Sequence, residues 1–285
     1  MSTNEVNVTV EQQAADAKRL KTFKFLYPFS EFCAGLQKSF FGTYLQFFYT
    51  NVFKFSVTFT MAMTLISNVI SWIGQPVFSA FIDRFQFKKA KFWPWLCIGA
   101  VAIYGTQTLI TALPALTGKT TSLAGLVFAL VIFQTVIGPL GSAPINGAFP
   151  RMGKDPKDRQ FFAMGQKIGR DGGKTIFGYV VPALILAFTA STGSEMSGYA
   201  LTGLVAGVVT IAGYQLFALA GLKGSYVERE AMAEGEAQKK AKIPLSQTVK
   251  VLFSNRPVLG IFLFMLFHKS YYFLYTSYAA YVFTY

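Results

Sequence analysis

The stretch "SLAGLVFALVIFQTVIGPLGSAPINGA" (residues 122–148) decides the fold class, because it contains no Asp, Glu, Lys or Arg. A helix needs about 20 consecutive apolar residues to cross the hydrocarbon core of a bilayer. Only helices and closed barrels satisfy every backbone polar group there, and this stretch lacks the strict alternation of barrel strands. We therefore predict a transmembrane helix.

Comparable apolar stretches recur along the chain. Of its 285 residues, 53% are hydrophobic and 14% are charged, whereas a soluble domain has about 25% charged residues. We predict seven membrane spans, at about residues 26–52, 57–82, 93–114, 122–148, 161–190, 197–221 and 257–285. The predicted fold class is therefore an all-α integral membrane protein in the cell membrane, with the lipid bilayer as its surroundings.

The net charge of +13 is distributed unevenly. Lys and Arg concentrate before the first span and in the loops after the second, fourth and sixth spans. The positive-inside rule places these segments, and with them the N-terminus, in the cytoplasm. The basic excess is thus a signal of topology, and we expect no binding to nucleic acid.

The chain divides into four predicted regions. Residues 1–25 form a polar cytoplasmic tail, and residues 26–222 form a six-helix transmembrane bundle. Residues 223–256 are rich in Glu, Lys, Ala and Gln, which is typical of a cytoplasmic helical linker. Residues 257–285 then form the first helix of a second bundle.

The fifth span holds charges near its middle, in "GQKIGRDGGKTIFGY" (165–179). Lys167, Arg170, Asp171 and Lys174 share one helical face. A charge that faces lipid costs at least about 2.5 to 3.5 kcal/mol, so this face should meet the bundle interior or water. The alternative is that Asp171 pairs with Lys167 or Lys174 and merely fixes helix packing.

The opposite face of the fifth span is rich in glycine. Gly165, Gly169, Gly172 and Gly173 centre on that side. Small residues at such spacing allow a neighbouring helix to approach closely. We therefore expect a helix to pack against this face.

The first and seventh spans carry further candidate residues. Glu31 and Lys38 share a face of the first span, and we expect both to face a cavity. In the seventh span, His268 and Tyr272 lie on one aromatic face. That face is either a belt at the membrane interface or a sugar-stacking surface.

The charges at membrane depth sum to a cationic site. Five cations (Lys38, Lys167, Arg170, Lys174 and Lys269) stand against two carboxylates (Glu31 and Asp171). We predict an anionic substrate, whose acid group a Lys or Arg binds. Neither a cofactor nor a metal ion is expected.

Three stretches, in order, carry a resemblance to a family. They are "YLQFFYTNVFKFS" (44–56), "QPVFSAFIDRFQFKKAKFWPWLCIG" (75–99) and "APINGAFPRMGKDPKDRQFF" (143–162). Together they resemble the glycoside-pentoside-hexuronide cation symporters, the melibiose-carrier-like branch of the major facilitator superfamily. The resemblance implies a six-helix N-terminal bundle plus helix 7, an incomplete twelve-helix carrier that works by alternating access.

The resemblance also implies roles for individual residues. Lys167 aligns with an Arg at the family's sugar site in helix 5. Ser142 aligns with a helix 4 acidic residue that contacts sugar in some members. Asp83 and Arg84 fall in the family's loop between helices 2 and 3, where they would form a cytoplasmic gate.

One departure from the family concerns the coupling ion. Ser71 and Gln75 replace an acidic pair that holds sodium or a proton in other members. We therefore favour H+ over Na+, with Glu31, Asp171 or His268 as the proton-carrying group. Uniport or exchange without a coupling ion remains open.

The leading functional hypothesis is secondary active transport of a small, anionic sugar or sugar acid, such as a hexuronide or a sulfonated sugar. A lysophospholipid carrier of the same fold is one alternative. A non-transporting sensor or half-carrier is another. An integral membrane enzyme is the weakest, because no HExxH motif, carboxylate pair or nucleophile–base arrangement occurs in the sequence.

Overall fold

The computed structural model describes most of the chain. It covers residues 10–84, 87, 90–153, 155–223, 226–241, 254–257, 259–261, 263–264, 267–268 and 271. For residues 10, 72–73, 75–80, 83–84 and 234–241 the description includes the backbone without the side chain.

The secondary structure that it describes is helical. The helices are α1 (Val10–Ser39), α2 (Leu45–Phe47), α3 (Val57–Arg84), α4 (Trp93–Thr117), α5 (Ala124–Ile137), α6 (Pro139–Met152), α7 (Pro156–Thr192), α8 (Glu195–Leu222) and α9 (Tyr226–Ala241). Two π-helical turns, Phe40–Tyr44 and Phe48–Val52, flank α2, so that α1 continues as one helical rod to Val52.

Four of the described segments are long and apolar enough to cross a membrane. They are Trp93–Thr117, Thr121–Met152, Pro156–Thr192 and Glu195–Leu222. These match the predicted third to sixth spans. The predicted first and second spans lie in the α1 rod and in α3, and the predicted seventh falls largely outside the described residues.

The predicted glycine face of α7 packs against α1. A methyl group on Gly169 would lie 2.4 Å from the Pro28 carbonyl oxygen, and one on Gly173 would lie 2.6 Å from the Phe32 carbonyl oxygen. Gly165 likewise contacts Pro28. The prediction is confirmed for these three glycines and wrong for Gly172, which has open space beside it.

The remaining helices complete the bundle around α1 and α7. Helix α8 packs against α4, α1 and α7, and α6 packs against α4 and α3. One apolar core surrounds Trp93 and Phe217 near one end of the bundle. A second core surrounds Phe48 and Tyr199 near the other end.

Polar contacts tie the predicted basic segments together at one end of the bundle. The Arg19 guanidinium donates to the carbonyl oxygens of Ala220 (2.9 Å) and Lys223 (2.5 Å). Lys24 forms a 2.6 Å ion pair with Asp158. The structure thus agrees with the expectation that these alternate segments share one end.

Buried hydrogen bonds attach helix α9 to the end of the bundle that holds the predicted basic segments. The Glu228 carboxylate accepts from the backbone N–H groups of Lys91 (2.5 Å), Phe92 (2.8 Å) and Trp93 (3.0 Å), at the start of α4. The Tyr226 hydroxyl donates to the Met152 carbonyl. Burial raises the pKa of Tyr226, which therefore remains a donor at neutral pH.

The chain divides into two compact units, Met1–Ala233 and Glu234–Tyr285. Helices α1 to α8 lie in the first unit, and α9 crosses the boundary. The predicted division into tail, bundle, linker and second bundle stays a prediction.

Candidate functional site

A buried carboxylate, Glu31, organises the candidate site in the first unit. Its side chain is 1% exposed. Oε2 of Glu31 accepts from Nε of Arg170 at 3.0 Å and from Nζ of Lys38 at 3.2 Å. Oε1 accepts from the Tyr214 hydroxyl at 3.3 Å. Two cations and a phenol therefore share one carboxylate.

The sequence explains how these groups meet. Glu31 and Lys38 are seven residues apart on α1 and thus lie on one face of the helix. Arg170 reaches Glu31 from α7, because Gly169 beside it lets the α1 backbone come close. Tyr214 arrives from α8, which packs against both helices.

These four residues open onto a cavity of about 560 Å³, a volume within the range of small-molecule sites. Helices α1, α4, α5, α6, α7 and α8 all contribute to its wall. The lining residues are Glu31, Gln37, Lys38, Phe41, Gly42, Leu45, Ile103, Tyr104, Gln107, Gln134, Gly138, Gly141, Ser142, Ile145, Asn146, Gln166, Arg170 and Tyr214.

The cavity wall is cationic. Among its described residues the charged ones are Lys38, Arg170 and Glu31, so the formal charge is two minus one, or +1. Lys38 is 34% exposed and Arg170 is 43% exposed. Both cations therefore remain accessible from the cavity while they contact Glu31.

The charged residues of α7 separate into two groups. Arg170 turns towards Glu31, whereas Lys167 and Asp171 are 81% and 63% exposed and lie 3.9 Å apart as an i,i+4 pair. Lys174 is partly buried. Lys167, Asp171 and Lys174 do not line the cavity, so the structure brings one of the four predicted α7 residues into it.

The other predicted site residues are spread over the chain. Ser142 lines the cavity from α6. His268 is exposed in the second unit and stacks on Phe264, with ring centroids 6.0 Å apart. Tyr272 lies outside the described residues. So do the side chains of Asp83 and Arg84, at the end of α3.

Several polar residues of the wall were not predicted from the sequence. The Gln37 amide donates to Oε1 of Gln107 at 2.8 Å. The rings of Tyr104 and Tyr214 stack at 5.7 Å and nearly parallel. Each of these residues is an uncharged polar side chain inside an apolar span. That feature could have indicated them, because such groups need a partner in a membrane.

One acceptor in this group has no hydrogen-bond partner among the described residues. Oε1 of Gln37 is buried, while Nε2 of the same amide is bonded to Gln107. A buried acceptor left without a donor costs about 1 to 3 kcal/mol. The Gln37 amide therefore uses its nitrogen and leaves its oxygen without a hydrogen bond among the described residues.

Comparison with known proteins gives consistent matches. Residues 26–285 match the family described as MFS/sugar transport protein. The chain is 23% identical over 248 residues to the isoprimeverose transporter of Lactiplantibacillus pentosus, covering 84% of this chain and 48% of that protein. It is 25% identical over 282 residues to YjmB, an uncharacterized symporter of Bacillus subtilis, covering 95% of this chain and 56% of that protein.

A second Bacillus subtilis protein, the uncharacterized symporter YnaJ, is 24% identical over 258 residues. That match covers 85% of this chain and 50% of YnaJ. The chain thus spans about half the length of the curated relatives that it matches.

Proposed function

The chain belongs to the MFS/sugar transport protein family, and from that premise we propose that it is part of a secondary transporter for a small anionic sugar or sugar acid. It is a multi-pass membrane protein, and we place it in the cell membrane with its N-terminus in the cytoplasm. The observation that carries the substrate class is the +1 charge of the cavity wall around Glu31.

In this proposal Arg170 binds the acid group of the substrate. A guanidinium offers two parallel N–H donors to a carboxylate or a sulfonate. Arg170 uses Nε on Glu31, and part of its side chain stays exposed to the cavity. Lys38 supplies a second positive charge from α1. Glu31 then holds both cations in place and limits the net charge.

Glu31 also offers a route to proton coupling. A proton on Glu31 would weaken its bonds to Lys38 and Arg170 and raise the formal charge of the wall from +1 to +2. An anionic substrate would then bind more tightly, and by linkage the bound substrate would favour the proton. Ser71 and Gln75 stand where the family resemblance implies an acidic pair, and this departure supports H+ over Na+.

Transport would follow the alternating-access scheme, in which helix bundles rock around a central site. Asp83 and Arg84 are proposed as gate residues, and Lys167 and Lys174 as further cations on the substrate's path. No observation on the described residues favours the lipid-carrier or sensor alternatives.

The substrate class is tested by thermal unfolding of the purified chain with matched sugars. Methyl β-D-glucuronide and methyl β-D-glucoside differ only at C6, which is a carboxylate in the first and a hydroxymethyl group in the second. A ligand present at about 100 times its Kd stabilises the folded state by about 2.7 kcal/mol. We expect stabilisation by the glucuronide and much less by the glucoside. Equal stabilisation by both would remove the case for an anionic substrate.

A further inference from the structure

The cavity has a second polar group of residues, distinct from the cations around Glu31. Besides Gln166 on α7, three glutamines line its wall, namely Gln37 on α1, Gln107 on α4 and Gln134 on α5. We call them the amide cluster. All three are uncharged, and each carboxamide can both accept and donate hydrogen bonds.

Contacts between the helices place these glutamines at one level of the bundle. The hydrogen bond from Gln37 to Gln107 joins α1 to α4 directly. Helices α4 and α6 run antiparallel, since Gly99 abuts Leu140 and Gly147 abuts the Phe92 ring. With an equal rise per residue, this register puts Gln107 level with about residue 132, close to Gln134.

The amide cluster lies away from the acid-binding groups along the same wall. Gln37 follows Glu31 by six residues on α1, which corresponds to about 9 Å along the helix. Lys38 is next to Gln37 in sequence and reaches back to Glu31. A ligand whose acid group contacts Arg170 would therefore extend towards the glutamines.

The amide cluster has unused hydrogen-bonding capacity. Oε1 of Gln37 is buried and has no donor among the described residues, and Gln37 as a whole is 1% exposed. Nε2 of Gln107 and the whole amide of Gln134 likewise make no hydrogen bond within the described part of the chain. Donors and acceptors together suit a hydroxyl group, which is itself both a donor and an acceptor.

We infer that the amide cluster is the part of the cavity that binds the hydroxyl groups of the ligand, while Arg170 binds its acid group. This inference rests on the proposed function, because it takes the Arg170 end as the site of the acid group. An apolar acyl chain or a small inorganic anion would leave the glutamines without partners. The subsite therefore selects for sugar hydroxyls within the class of organic acids.

The test uses three probes and three variants of the purified chain. The probes are methyl β-D-glucuronide, methyl β-D-glucoside, and cyclohexanecarboxylate, which keeps a ring and an acid but has no hydroxyls. The variants are Gln107→Leu, Gln134→Leu and the control Gln160→Leu, an exposed position outside the cavity. Gln134→Leu breaks no described hydrogen bond, so it should fold even if Gln107→Leu does not.

We expect both cavity variants to raise the Kd of the glucuronide by about three- to tenfold, the effect of losing one neutral hydrogen bond. The Kd of cyclohexanecarboxylate should be the same in both cavity variants as in the unmodified chain. Gln160→Leu should bind every probe with the Kd of the unmodified chain. Unchanged glucuronide binding in both cavity variants would overturn the subsite and leave the proposed function intact. Equal binding of glucoside and glucuronide, with both weakened by the variants, would support the subsite and overturn the anionic class. If no probe binds the unmodified chain, both are overturned.

Discussion

Glu31 and Glu228 are both buried carboxylates of the first unit, at 1% and 5% exposure, yet their partners differ in kind. Glu228 accepts from three backbone N–H groups at the start of α4, between 2.5 and 3.0 Å. Glu31 accepts from three side chains, those of Lys38, Arg170 and Tyr214. Backbone donors are held in place by the main chain, whereas side chains can rotate away.

The difference separates a structural carboxylate from one that can take part in binding. The first residues of α4 have no side-chain cap of their own, and the first N–H groups of a helix need acceptors. Glu228 supplies them from α9, and its negative charge also suits the helix N-terminus. Glu31 lies instead on the wall of a cavity, where a ligand can compete for its cations.

The largest effect is expected for Glu228→Ala, which leaves three backbone donors without an acceptor. Hydrogen bonds to charged groups contribute about 1.5 to 3 kcal/mol each, so the free energy of unfolding should fall by about 3 kcal/mol or more. Glu228→Gln keeps one acceptor oxygen, so its free energy of unfolding should lie between those of the unmodified chain and Glu228→Ala. Thermal unfolding in detergent measures both. Equal stability of all three proteins would mean that Glu228 does not cap α4.

Arg170→Gln should act on binding more than on folding. The loss of one charge-assisted contact to an acid group is worth about 1.5 to 3 kcal/mol, or roughly a 10- to 100-fold rise in the Kd of methyl β-D-glucuronide. The Kd of the neutral glucoside should change much less. If stability collapses while affinity is retained, Glu31 resembles Glu228 after all, and the contrast between them fails.

Gly169→Ala tests how α7 brings Arg170 to Glu31. The new methyl group would lie 2.4 Å from the Pro28 carbonyl oxygen, so α1 and α7 must move apart. Overpacking of this kind costs about 1 to 3 kcal/mol, and glucuronide affinity should fall with it. Gly172→Ala is the matched control, because it meets open space and alanine favours a helix by about 1 kcal/mol. Equal destabilisation of the two variants would contradict the observed packing.

These two glycines also illustrate how far the sequence predicts the structure. Helical periodicity predicts that one face of α7 is small and packed, and Gly165, Gly169 and Gly173 confirm it. The same periodicity cannot tell where that contact ends, because the edge depends on how α1 crosses α7. Gly172 lies just beyond the edge.

The candidate site was predictable to a similar extent. Charges inside apolar spans indicated Glu31, Lys38 and Arg170, since a charge at membrane depth needs a partner. The sequence did not indicate which α7 cation reaches Glu31, because Lys167, Arg170 and Lys174 share one face and the choice depends on the crossing of two helices. Nor did it indicate the glutamine pair, whose members are 70 residues apart.

The pH dependence of binding probes Glu31 as the proton-carrying group. Protonation would release Lys38 and Arg170 for the substrate, so glucuronide affinity should rise as the pH falls, by at most tenfold per pH unit for one proton. Lys38, Arg170 and the Tyr214 hydroxyl bond to Glu31, and the Tyr27 and Tyr104 hydroxyls lie close enough to interact with its charge. Glu31→Gln should bind independently of pH. A pH-dependent Glu31→Gln variant, or binding that sodium strengthens at every pH, would exclude this route.

The smallest effect is expected for Lys167→Gln. Lys167 is 81% exposed and lies 3.9 Å from Asp171, and exposed ion pairs contribute less than about 1 kcal/mol. Stability should hardly change, and the glucuronide Kd should shift by less than about threefold. Family resemblance, however, aligns Lys167 with a sugar-site Arg. A loss of affinity as large as that of Arg170→Gln would place substrate on the exposed face of α7. Lys167 would then bind the substrate, contrary to the contrast drawn between it and Arg170.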